Sequence, residues 1–166
     1  MTYHSFEDLP AWQAAIRFAR QVYLLTGHQA FRGHAGLRDQ LERAGLSVSN
    51  NIAEGFERGS TKELLAFLYI ARGSAGEVRS MLCLLETLPA FENLSSQISD
   101  VKSQILSISR QLYGWIEQLK NSDITGQRHL NDTARARAVT EKDRDAFLRE
   151  LAHIRQSAAK TPKSET

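Results

Sequence analysis

Eight apolar residues, Leu94, Ile98, Val101, Ile105, Ile108, Leu112, Ile116 and Leu119, recur at steps of four or three along one stretch of chain. That spacing sets them on one face of a long α-helix. Such a helix must bury its stripe against other helices, and the near-heptad step suits left-handed bundle packing. The partners lie upstream. Leu37, Leu41, Ala44, Val48 and Ile52 repeat the pattern and predict a helix over 36–54, ended by Gly55 through the positive φ that a helix C-terminus favours. Ser60 and Glu63 form an S-x-x-E capping box after a turn over 55–60, so the next helix runs over 61–88 and Pro89 stops it. A first helix over 8–26 carries Trp12, Ile16, Ala19 and Tyr23, with Phe6 and Leu9 ahead of them and Gly27 closing it. The loop over 28–35 shows little periodicity. Short connections make successive helices antiparallel, which predicts an all-α, up-down four-helix bundle over 1–121 with no strand of comparable signal.

After residue 121 the character changes. Residues 122–140 are polar, with scattered Gly, Asn and Asp, and read as a linker. Thr140 and Asp143 offer a second capping box ahead of Phe147, Leu148, Leu151 and Ile154, which predicts a short amphipathic helix over 141–158 and a disordered tail over 159–166. Its narrow apolar stripe docks on the bundle, on a neighbouring subunit, or on another protein.

The words QLERAGLSVSNNIAEGFERGS and FLYIARGSAGEV, preceded by FEDLPAWQAAIRFARQVY, resemble a known family. It comprises the four-helix-bundle proteins first described as products of intervening sequences within bacterial 23S rRNA genes. The resemblance spans about 6–120, and its most specific element is Ser49-Asn50-Asn51-Ile52-Ala53-Glu54-Gly55, followed by Arg58 and the GSAGE of the third helix. It implies a small bundle that assembles as a homopentamer, in a family for which no enzymatic activity is established. A sister group, the accessory variability proteins of diversity-generating retroelements, is similar in fold and binds nucleic acid and a reverse transcriptase.

The longest apolar run, over 64–71, is far short of the ~20 residues needed to span a bilayer. The N-terminus MTYHSFEDLP lacks the basic and apolar regions of a signal peptide, so a cytoplasmic location is the expectation. Cys83 is the single cysteine and cannot form an internal disulfide; among Met81, Leu82, Leu84 and Leu85 it reads as a small buried hydrophobe.

Formal charge is divided unevenly. Through residue 121 there are 12 Lys+Arg against 12 Asp+Glu; from Ser122 onward there are 9 against 7, so the net +2 resides in the tail. A neutral bundle lacks the concentrated basic excess of a strong polyanion binder. Local clustering, or one ring built from several subunits, has to supply it. The candidates for RNA or DNA contact are Arg38, Arg43, Arg58, Lys62, Arg72 and Arg79 on helices two and three, although Asp39, Glu42, Glu57, Glu63 and Glu77 are interleaved as in an ordinary solvated face. The aromatic residues Trp12, Tyr23, Phe67, Tyr69 and Trp115 lie on or beside the apolar stripes and read as core or interface.

Small and polar residues of helices two and three form a second set of candidates. Gly73 and Gly76 flank Ser74 and Ala75, and each glycine costs about 1 kcal/mol of helix propensity. Close approach of two helices or two subunits explains the tolerance, with Ala44, Gly45 and Ser49 as the matching small set; a ligand against exposed backbone is the competing explanation. Asn50, Asn51 and Glu54 read as structural residues of the turn, Glu54 pairing with Arg58 or Arg43, while Arg43 and Glu77 form a candidate charge pair.

Catalytic and metal motifs are sparse. A di-iron bundle needs Glu-x-x-His on two helices plus two more glutamates, and only Glu150 with His153, in the tail, matches. No H-E-x-x-H, G-x-S-x-G, Walker or dinucleotide loop occurs. The expectation is therefore a non-catalytic oligomeric scaffold or adaptor associated with RNA or a ribonucleoprotein, without metal, cofactor, small-molecule substrate or membrane. The alternative is a protein-binding assembly module that recruits its partner through the C-terminal helix.

Overall fold

The computed structural model describes residues 3–121 and residue 149. The chain divides into two units, Met1–Arg128 and His129–Thr166, and the four long helices belong to the first. The predicted linker, the helix over 141–158 with its Glu150 and His153, and the tail lie outside the described residues.

The helices are α1 (Pro10–Thr26), α2 (Ala35–Glu57), α3 (Thr61–Leu85) and α4 (Ser95–Lys120), and among the described residues there is no strand. Each packs on the next and α4 returns to α1, so α1 and α3 stand diagonally across the bundle. Successive helices run antiparallel. Val22 near the end of α1 meets Gly45 in the first half of α2, and Gly55 near the end of α2 meets Leu64 and Phe67 near the start of α3. The predicted α4 stripe forms the core as drawn: Ile98, Val101, Ile105, Ile108, Leu112 and Ile116 are buried and Leu119 is partly so. The α2 stripe does likewise, through Leu41, Ala44, Val48 and Ile52.

Helix α1 departs from expectation. Its buried face is Ala11, Ala15, Phe18, Ala19, Val22 and Leu25, whereas Ile16 is 37% and Tyr23 47% exposed. Alanines carry this stripe because α2 approaches closely, and their small side chains are easily outweighed by larger neighbours when the pattern is read by size. The helix starts at Pro10 rather than at 8, with proline in the first turn, where its missing N–H removes no intrahelical bond.

Helix α2 extends through Gly55 to Glu57. The positive φ of the turn belongs to Gly59, at 77°, just ahead of the cap Ser60. Gly55 serves packing instead: a Cβ there would lie 2.7 Å from the Phe67 Cβ and 3.3 Å from the Leu64 Cα. Ser60 caps α3 by accepting from the Glu63 N–H at 3.3 Å, and its hydroxyl donates to the Glu63 carboxylate at 2.6 Å. Helix α3 stops at Leu85, three residues short of the expectation, since Leu88 is extended before Pro89 and a 3-10 turn over Pro89–Leu94 leads into α4. The 28–35 loop is less irregular than its sequence suggests. A 3-10 turn over Gln29–Phe31 buries Phe31 edge-on against Phe91, with ring centroids 4.8 Å apart, and closes that end of the core.

Candidate functional site

Three of the six basic candidates on α2, α3 and the turn between them already have partners. Arg38 donates from Nε and Nη2 to one oxygen of Asp39 at 3.0 and 2.9 Å. Arg58 holds Glu54 at 2.6 Å, lies 3.9 Å from Glu63 and covers the Phe67 ring at 5.0 Å. The hydrogen bond to Glu54, and next the charge of that carboxylate, raise the Arg58 pKa above its ordinary value. Arg72 is laid over the Tyr113 ring of α4 at 4.9 Å. Arg43, Lys62 and Arg79 are exposed and have no ion pair among the described residues. Half of the predicted set thus already has carboxylate or aromatic partners, and these exposed pairs add little stability.

The small and polar candidates divide in the same way. The nearest neighbour of Gly45 belongs to α1: a Cβ there would lie 3.2 Å from the Val22 side chain. Buried Ser49 donates to the Leu46 carbonyl of its own helix at 3.0 Å. Asn51 donates to the Ser47 carbonyl at 2.7 Å and the Ser47 hydroxyl at 2.9 Å, and Ser47 reaches across to the Ser74 hydroxyl at 2.9 Å. Ser74 also donates to the Ile70 carbonyl at 3.2 Å. This chain joins α2 to α3 through serines, a link the sequence reading missed because Ser47 lies beside the apolar stripe rather than on it. Glu54 takes Arg58 rather than Arg43, and Arg43 and Glu77 form no pair.

Gly73 and Gly76 correct the intramolecular expectation. Both are exposed, and a Cβ at either would meet nothing within 4 Å. Among the described residues no helix occupies the space they leave. They lie on an outward face of α3 with Tyr69, 48% exposed, Ile70, 51% exposed, and Leu84; Tyr113 of α4 flanks it. Cys83 is on the surface too, contrary to the buried role expected of it. The buried stripe of α3 passes through Val78, Leu82 and Leu85, and the position after Leu82 turns outward. Lys102 of α4 crosses to Glu86 at 2.6 Å; that hydrogen bond, with a smaller contribution from Cys83, raises the lysine pKa.

Shallow grooves mark the ends of the bundle. One of about 230 Å³ lies between Pro10 and Ala11 of α1 and Gln111, Trp115 and Gln118 of α4. Among the described residues no group of three or more His, Cys, Asp or Glu is placed to hold a metal ion, and no helix is long and apolar enough to cross a membrane.

A family model described as 23S rRNA-intervening sequence protein matches residues 7–114, which takes in α1, α2, α3 and most of α4. No curated protein matches the chain.

Proposed function

Because the chain belongs to the 23S rRNA-intervening sequence protein family, we propose that it is a non-catalytic oligomeric scaffold that associates with RNA or a ribonucleoprotein. One observation carries the oligomeric part: α3 presents half-exposed Tyr69, Ile70 and Leu84 around glycines with open space in front of them. An outward helix face that combines large apolar side chains with two helix-weakening glycines fits a close helix contact from another copy. Diagonally across the bundle, α1 exposes Ile16 and Tyr23. Two unlike patches suit a heterologous contact, and such contacts form a closed ring when the rotation between copies closes. A ring of five copies is the assembly proposed, and it would present every surface cation five times around its axis.

Light scattering coupled to size exclusion, with and without a pool of structured RNA at low and moderate salt, tests this reading. A particle near five chains that grows with RNA only at low salt is the expected result, since phosphate contacts weaken steeply with added salt. A monomer indifferent to RNA would sink both parts.

A further inference from the structure

The bundle is neutral as a whole, but its charge is segregated by side. No Asp or Glu occurs between Leu9 and Arg38, so α1 carries Arg17 and Arg20 with no carboxylate. In α4 the stretch from Val101 to Ile116 contains Lys102 and Arg110 and again no carboxylate. Together α1 and α4 have five cations against two carboxylates, whereas α2 and α3 have five against six. The two basic helices are neighbours.

Helix geometry sets the free cations of each of these helices outward. Gln13, Arg17, Arg20 and Leu24 step by four, three and four and are all exposed, so they share the solvent face of α1. Ser103, Ser107, Arg110 and Gly114 repeat the same steps on α4. The end groove brings Ala11 level with Trp115. Six residues onward along α1, about 9 Å, is Arg17, and the same distance back along antiparallel α4 reaches Ser109, beside Arg110. Lys102 and Lys120 are occupied by Glu86 and Glu117, but Arg17, Arg20 and Arg110 have no ion pair among the described residues. Arginines free of carboxylates, among glutamine and serine donors, match the demands of phosphate and ribose hydroxyl groups.

We infer that the α1–α4 side, through Arg17, Arg20 and Arg110, is the surface that contacts the RNA phosphate backbone, and that the α2–α3 cations are not. This rests on the RNA reading of the function. Assembly through the outer face of α3 leaves this surface open, but Arg20 lies between Ile16 and Tyr23 of the α1 patch, so the RNA surface adjoins the proposed contact between copies, and particle size is read beside affinity.

The test is fluorescence anisotropy of a labelled RNA stem-loop with the full chain at about 50 and 200 mM salt. The triple variant Arg17→Gln, Arg20→Gln, Arg110→Gln is compared with the triple variant Arg43→Gln, Lys62→Gln, Arg79→Gln. All six side chains are exposed, so both variants keep the parent's circular dichroism and melting curve. The first is expected to lose about ten-fold or more in affinity at low salt, with a salt slope shallower by about two to three, and the second to stay within about two-fold of the parent. Loss confined to the second variant would overturn the assignment and leave the RNA reading standing. No binding by the parent at either salt would remove the RNA reading and this inference with it. A first variant that falls from assembly to monomer in light scattering would show that the surface joins copies of the chain, which also overturns it.

Discussion

At the scale of single residues, glycines within helices perform opposite tasks. Gly55 leaves room for Phe67 and Leu64, and adding one methyl pushes it to 2.7 Å from another side chain's Cβ. Neither Phe67 nor the α3 backbone can retreat without moving the helix, so Gly55→Ala is expected to destabilise by about 1–3 kcal/mol, as overpacking does. Gly114, on the exposed side of α4, has nothing within 4 Å of its absent Cβ. There the substitution only reduces unfolded-chain entropy and improves propensity, so Gly114→Ala is expected to stabilise by up to about 1 kcal/mol. Denaturant melts of both variants check the pair of signs. Equal effects would mean that space at Gly55 is not what keeps glycine there. Sequence shows a glycine in each place and cannot distinguish them, because the distinction lies in what another helix puts opposite.

Between elements, α2 and α3 are tied by the Asn51–Ser47–Ser74 chain, and α3 and α4 by Lys102 with Glu86. Ser74 is only 7% exposed, so its hydroxyl acts away from bulk water. Ser74→Ala is expected to cost about 1 kcal/mol, and a double-mutant cycle with Ser47→Ala should return a coupling of about 0.5 kcal/mol or more. Strict additivity would show that the two hydroxyls act independently. The α3–α4 tie depends on pH. Folding raises the Lys102 pKa above its ordinary 10.5, so its contribution is complete below 10.5 and is lost as pH rises through the folded value. Parent stability should therefore fall more steeply above pH 10.5 than that of Lys102→Met, as read from urea midpoints across that range. Parallel curves would show that the ion pair is energetically silent.

For the molecule as a whole, the outward α3 face is where the proposed contact between copies can be tested. Ile70 is half exposed and lies one turn from Gly73, so Ile70→Lys should leave the helix and the core intact. A desolvated lysine at a contact between copies costs far more than one in water. The variant is expected to run as a smaller particle than the parent at equal concentration, with unchanged circular dichroism. An unchanged particle size would place the interface elsewhere. Gly73→Leu should act in the same direction by filling the open space.

Among the described residues the four long helices, their order and most core positions were legible in the sequence, since the α2 and α4 stripes follow from spacing alone and any bundle must bury them. The family-specific words around Asn50 and Asn51 were legible for the same local reason. Tertiary structure alone decided the rest. It turned α1 so that alanines face inward and Ile16 and Tyr23 face out, because side-chain size on one helix is chosen against the helix beside it. It assigned Gly55 to packing and Gly59 to the turn, and brought Cys83 to the surface. It also divided a neutral set of charges into a basic α1–α4 side and a slightly acidic α2–α3 side. Periodicity is a property of one helix and can be read along the chain; neighbourhood, free space and the sign of a surface are properties of several helices together.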